Sequence, residues 1–266
     1  MTFYYGGIHL KNPTLSNYWL SPHSPEWYRQ ISKNGNAYIY PWQSTIDSPI
    51  AENIFDQLVC LHTKDKVALD FGCGEGRFTK KYALYAKQMI GADSSTQFIQ
   101  TAMKTKPDNT SFIVAHSKHV LPFKRAFFDI AIIRKGPTSI YHHLPLYVKE
   151  GGLILGLHPG ENEGKELSNW FPKLFPNNQH NIPIQQHLTK IFTKAPFRKF
   201  EIHPYHTIEY LHSPLDLIHY RCFGQKKEIY ELVSSDIREI TNIFKKHQTV
   251  KGLPITYERY ITIVHV

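Results

Sequence analysis

Only three cysteines occur in 266 residues, Cys60, Cys73 and Cys222, too few and too scattered for a disulfide framework or a zinc cluster. No run of about 18 or more apolar residues exists, which argues against a helical membrane span. The start, Met-Thr-Phe-Tyr-Tyr-Gly-Gly, lacks the basic-then-apolar layout of a signal peptide. These absences lead to the expectation of a reduced, cytoplasmic protein with no membrane partner. Internal repeats, low-complexity stretches and a basic arm are also missing. The 16 histidines include none in a metal-site spacing such as His-Glu-x-x-His, so no metal is expected.

What the chain does have is apolar material and a spread of positive charge. Hydrophobic residues make up 41% of it, enough for a sizeable core, and the formal net charge is +9. Residues 1–160 hold 17 Lys/Arg against 11 Asp/Glu and residues 161–266 hold 14 against 11, so the excess is not clustered. A diffuse positive charge leaves RNA open as a partner without pointing to it.

The most informative stretch runs from Lys66 to Thr79. Val67-Ala-Leu-Asp70 reads as a buried strand ending in a carboxylate. Gly72, Gly74 and Gly76 follow at alternate positions, and Arg77-Phe-Thr-Lys-Lys-Tyr-Ala opens a helix. Such a unit lets the backbone pass close under a ligand and points helix N–H groups at it. A dinucleotide fingerprint needs a glycine at 77, where Arg77 stands. Gln88-Met-Ile-Gly-Ala-Asp93 is a second strand ending in a carboxylate, about 20 residues beyond the turn, where a carboxylate can accept from ribose hydroxyls.

The pattern Asp-x-Gly-x-Gly-x-Gly resembles motif I of the class I S-adenosylmethionine (SAM)-dependent methyltransferases, and Asp93 matches that family's acidic ribose residue. Leu121-Pro-Phe followed by Phe128-Asp129 resembles a loop of the same family. Gly151-Gly152 and the run to His158 look like its glycine turn and fifth strand. The resemblance covers roughly residues 66–158. It implies an α/β, Rossmann-like fold: a seven-stranded, mostly parallel sheet with helices on both faces and an antiparallel last strand. It also implies SAM as cofactor, held by Asp70, Gly72, Cys73, Gly74, Gly76, Asp93, Ser94, His116, Ser117 and Arg134. Where the family usually has an acidic adenine contact, this chain has Ser117, beside His116.

Three segments follow from this: an aromatic extension (1–46), a SAM-binding core (47–160) and a cap insert with the C-terminal completion of the sheet (161–266). Residues 1–45 carry Phe3, Tyr4, Tyr5, Tyr18, Trp19, Trp27, Tyr28, Tyr38, Tyr40 and Trp42, a composition that packs onto something. Residues 161–197, with Trp170, Phe171 and Phe175, lie where the family inserts substrate-covering elements. A sixth strand is expected near Arg198, a helix from Lys227 to about His247, and a final strand from Thr256.

Methyl transfer to a hydroxyl or a protonated amine needs a base, and His158, His142 and His143 are the candidates by position. The expected substrate is a small-molecule oxygen or nitrogen acceptor. An rRNA or tRNA base methyltransferase and a SAM-binding protein without turnover are the alternatives. The Asn/Asp-Pro-Pro-Tyr and Pro-Cys signatures of DNA methyltransferases are absent.

Overall fold

In the computed structural model, which describes residues 10–33, 38–176 and 182–266, the apolar runs become one eight-stranded sheet. Its strands are β1 (Ser44–Ile46), β2 (Val67–Phe71), β3 (Gln88–Asp93), β4 (Thr110–Val114), β5 (Phe128–Arg134), β6 (Val148–Pro159), β7 (Lys199–Leu211) and β8 (Leu253–His265). The helices are α1 (Pro25–Lys33), α2 (Ile50–Thr63), α3 (Arg77–Ala83), α4 (Thr96–Met103), α5 (Leu144–Tyr147), α6 (Glu166–Trp170), α7 (Ile184–Lys194), α8 (Pro214–Arg221), α9 (Lys227–Ser234) and α10 (Ile237–His247).

The strand order is β1-β7-β8-β6-β5-β2-β3-β4. Strands β2 to β6 pair in parallel, while β8 runs antiparallel to both β6 and β7. From β2 the chain moves outward to β3 and β4, then returns to β5 on the other side. That reversal opens a crevice at the carboxyl ends of β2 and β5, where open α/β sheets bind ligands.

Helix formation follows apolar spacing. In α2, Ala51, Phe55 and Val59 recur every fourth residue and are buried against Ala68, Ile130 and Leu155. A fully buried side chain of this size contributes about 1.5–3 kcal/mol. On the opposite face, Leu188, Ile191 and Phe192 of α7 pack with Ile133, Tyr141 and Ile154.

Several details depart from expectation. The sheet has eight strands because Ser44–Ile46, inside the aromatic extension, pairs antiparallel with the end of β7. The sixth of the expected strands, β7, is 13 residues long and pairs with β8 throughout. Gly151 and Gly152 do not end a turn before a strand. They sit in a bulge inside β6, where the register with β5 jumps between Phe128 and Ile130. The single helix expected over 227–247 is two. Ser235 bonds back to the Leu232 carbonyl, and the Asp236 carboxylate accepts the Lys11 amide, interactions that compete with helix continuation.

The expected cap over 161–197 divides in two. Its second half, α7, is an ordinary sheet-covering helix. Its first half, with Leu167, Phe171 and Leu174, packs with α8 to α10 and Leu10 as a separate apolar cluster. Phe3, Tyr4 and Tyr5 of the aromatic extension lie outside the described residues.

Candidate functional site

At the carboxyl end of β2 the glycine turn is stitched to β3. The Gly72 and Cys73 amides both donate to the Ala92 carbonyl, at 2.8 and 3.1 Å. Gly72, Gly74 and Gly76 all have left-handed backbones, with φ of +82°, +55° and +79°. The three differ in what they face. A Cβ on Gly76 would strike the Phe112 ring at 2.5 Å, and one on Gly72 would press on the Gly136 Cα at 3.0 Å. A Cβ on Gly74 would meet nothing within 4 Å. Gly72 and Gly76 are therefore packing positions, and Gly74 faces open space.

Two carboxylates bracket the turn. Asp70 is fully interior and accepts from Thr79 Oγ1 at 2.6 Å. Burial pushes its carboxyl up to about 6, against the Thr79 hydrogen bond and the Arg134 charge. Asp93 accepts from the Gly74 amide at 2.9 Å and from the Ser95 amide at 2.8 Å. Burial raises the Asp93 carboxyl too, opposed by those amide donors. The expected pair of acidic strand ends is thus tied through the turn itself.

The other residues expected at the cofactor take different stations. Cys73 turns inward onto Gly91 and Phe112, and burial pushes its thiol up, so it serves through its backbone. Ser94 and His116 are exposed, and the Ser117 hydroxyl accepts from Ser139 at 2.7 Å. Arg134, at the end of β5, lies 3.5 Å over the Phe78 ring, and its buried Nε has no partner among the described residues.

The aromatic extension roofs this crevice. Tyr28 is close enough to Asp93 for the carboxylate to help raise its phenol, after burial. Tyr38 donates its amide to Glu75, inside the glycine turn, at 3.2 Å. Trp27 packs on Phe98 of α4 and donates Nε1 to the Phe223 carbonyl at 2.9 Å. Phe223 is the hub against which Trp27, Tyr38, Tyr40 and Trp42 pack, at centroid distances of 5.3 to 5.7 Å.

Beyond the roof lies a charged cluster that sequence reasoning missed. Arg259 on β8 pairs with Glu163 and with Glu52 of α2, and Tyr257 also donates to Glu52. Burial works against the Arg259 charge, but Glu163, Tyr257 and Glu52 more than offset it and hold the guanidinium charged. Next to this cluster stands Lys135, whose left-handed backbone (φ +59°) is fixed by its amide donating to the Leu157 carbonyl at 2.7 Å. Its ammonium lies 5.4 Å from the Tyr40 ring centroid. Burial first, then Arg259 and Arg134, lower the Lys135 amine from the ordinary lysine range to about 8. Glu52, Glu163 and Arg259 are separated by about a hundred residues each, so no local pattern announces them. Lys135 had a local signal: it directly follows the strand end already marked by Arg134.

The histidines do not gather at the crevice. His158 is 1% exposed and its Nε2 meets the Tyr141 hydroxyl at 2.9 Å, which in turn meets Thr262 at 3.0 Å. The three polar groups converge over Gly156, where a Cβ would collide with all of them. Burial, with a smaller push from His187, lowers His158 to about 4. This interior placement, on the face covered by α7, sets His158 apart from the glycine turn, which strand position alone does not reveal. His142 is exposed and His143 half-buried, at the end of the 3₁₀ turn Thr138–His142.

Comparison with known proteins bears on the fold that carries this site. Residues 69–148 match the family model described as a methyltransferase domain. No curated protein sequence matches the chain. Among solved structures, a protein of unknown function from Deinococcus radiodurans R1 superposes with a TM-score of 0.59 at 18% identity, covering 91% of this chain and 99% of that one. A proposed methyltransferase from Bacillus halodurans C-125 gives 0.56 at 14%, covering 82% and 99%. The [4+2]-cyclase SpnF gives 0.51 at 15%, covering 89% and 91%. At these identities the likeness concerns the fold.

Proposed function

We propose that this chain, a methyltransferase with a class I fold and a methyltransferase domain over residues 69–148, uses SAM to methylate an oxygen or nitrogen of a small molecule. The observation that carries the cofactor is the Gly74–Asp93 hydrogen bond beside open space. It presents a carboxylate to a ribose and leaves room for a ligand to back onto the turn. In this reading Asp70 answers the ammonium of SAM, Arg134, over the Phe78 ring, answers its carboxylate, and Ser94, His116 and Ser117 are the residues left for the adenine.

The residues fit that group. The orphaned Arg134 Nε asks for an anion, and the turn accepts bulk only at Gly74. When bound, SAM supplies an electrophilic methyl on a sulfonium leaving group. The protein's own work is to align the acceptor and keep water out. The Trp27–Tyr38–Tyr40–Trp42 roof suits that task, and its apolar walls suit a small molecule. Among the described residues no helix is long and apolar enough to cross a membrane, and the three cysteines are free, which fits a cytoplasmic setting.

The extension, core and C-terminal segment act as one site in this reading, because Leu20 and Gln225 exchange two hydrogen bonds and Gln43 donates to Asp216. The test is incubation with methyl-labelled SAM and separate pools of RNA, protein and small metabolites. Label is expected in the metabolite pool. Label in RNA, with binding that survives about 0.2 M salt, where phosphate contacts are much weakened, would contradict the small-molecule acceptor.

A further inference from the structure

Lys135 is a cation in a densely paired neighbourhood that has no pair of its own. The charged and titratable groups that face it are Tyr40 from the roof, Glu52 from α2, Arg134 from β5, Glu163 after β6 and Arg259 from β8. Glu163 is taken up by Arg259, and Glu52 accepts from Arg259 and Tyr257 through Oε1 alone, its buried Oε2 having no partner among the described residues. Among the described residues no carboxylate lies within ion-pair reach of Lys135. Its backbone is held left-handed, a conformation costly for a residue with a Cβ, and such strain clusters at functional positions.

Position gives this amine a direction. Gly136, the next residue, rests against Gly72 of the glycine turn, so Lys135 stands at the crevice between β2 and β5. Tyr38 touches the turn through Glu75, and Tyr40, two residues on, covers Lys135. One short segment therefore spans from the cofactor side to this amine. Of the candidate bases, His158 is walled off by Tyr141 and Thr262, whereas Lys135 stands on the strand end that borders the glycine turn.

Resting on the methyltransferase reading above, we propose that Lys135 Nζ receives the acceptor's proton as the methyl group arrives. The acceptor's lone pair forms the new bond to the methyl carbon, and the carbon–sulfur bond breaks with its electron pair left on sulfur. The proton on the acceptor oxygen or nitrogen passes to the neutral amine, which becomes an ammonium and later returns that proton to water. The acceptor class is then a hydroxyl or an N–H, not a carboxylate or a tertiary amine, neither of which has a proton to lose. Burial beside two guanidiniums lowers the amine to about 8 and so keeps a useful neutral fraction near neutral pH.

Two measurements test this. Competitive labelling of the whole protein with trace acetic anhydride between pH 6 and 10, read peptide by peptide, should show Lys135 half-titrating near pH 8, well below an ordinary lysine at about 10.4. Titration together with the exposed lysines overturns the proposal. In the second, methyl-labelled SAM and a deproteinised metabolite extract are given to wild type, Lys135→Arg and Lys135→Met. Both variants should lose about 10²- to 10⁴-fold in transfer rate while binding of S-adenosylhomocysteine, measured by calorimetry, is kept. A wild type that transfers label with Lys135→Arg equally active overturns the proton-accepting role alone. A wild type that transfers none overturns the methyltransferase reading and this role with it.

Discussion

Replacing each motif glycine by alanine separates backbone strain, packing and ligand space. At Gly74 the only cost to the fold is a left-handed alanine, about 1–2 kcal/mol, because nothing stands within 4 Å of the new methyl group. At Gly72 the same strain is joined by pressure on the Gly136 Cα at 3.0 Å and Pro137 Cδ at 3.3 Å, both hard to move. At Gly76 the methyl would overlap the Phe112 ring at 2.5 Å and crowd Ala102 at 3.1 Å, adding an overpacking cost of about 1–3 kcal/mol. Urea unfolding should therefore rank Gly76→Ala as most damaging and Gly74→Ala as least. Calorimetry with S-adenosylhomocysteine should give a different ranking among the folded variants. Gly74→Ala should bind at least about tenfold more weakly, a loss of about 1.4 kcal/mol, since its methyl enters the ligand's space. Wild-type affinity in Gly74→Ala, or a stability loss there exceeding that of Gly76→Ala, would refute the assignment of Gly74 to the ligand and Gly76 to the core.

The remaining predictions concern Asp93, Asp70 and His158. Asp93→Ala removes the acceptor of the Gly74 and Ser95 amides and should weaken S-adenosylhomocysteine binding by about 1–3 kcal/mol in the same calorimeter; unchanged affinity would count against a ribose contact. Asp70 is held up at about 6, and a ligand ammonium beside it favours the carboxylate, so SAM affinity should rise with pH from about 5 to 7 and then level. The Asp70→Asn variant should show no such rise. His158 has a folded value of about 4 against an ordinary 6.5, so the unfolded chain binds more protons between those values. Stability should fall by about 2–3 kcal/mol as pH drops from 7 to 4, and His158→Gln should lack that increment in urea unfolding. An unchanged pH slope in the variant would remove His158 as its source.

The parts of the fold written in short-range patterns were readable from the residues. Strand–glycine–helix order, the Asp93 strand end and the apolar stripe of α2 depend on neighbours a few positions apart, and the structure places them as those spacings imply. What was hidden depends on long-range pairing. Ser44–Ile46 is too short to read as a strand without β7 beside it. Ser235 and Asp236 break a helix through a back-bond and a partner more than two hundred residues away. The base candidates were chosen by strand position. Which face a strand residue presents, and what covers it, were not in that position: His158 faces α7, Tyr141 and Thr262. Lys135 was adjacent to a flagged residue, but its importance comes from lacking a partner, which only the assembled cluster reveals.

The cofactor is the point on which everything else turns, and equilibrium binding tests it most directly. The whole protein should bind SAM and S-adenosylhomocysteine one to one in a calorimeter, more weakly in Asp93→Ala, and should give no heat with NAD, because Arg77 stands where a dinucleotide turn needs its last glycine. Binding of NAD in place of SAM, or no heat with either sulfur compound, would contradict the account.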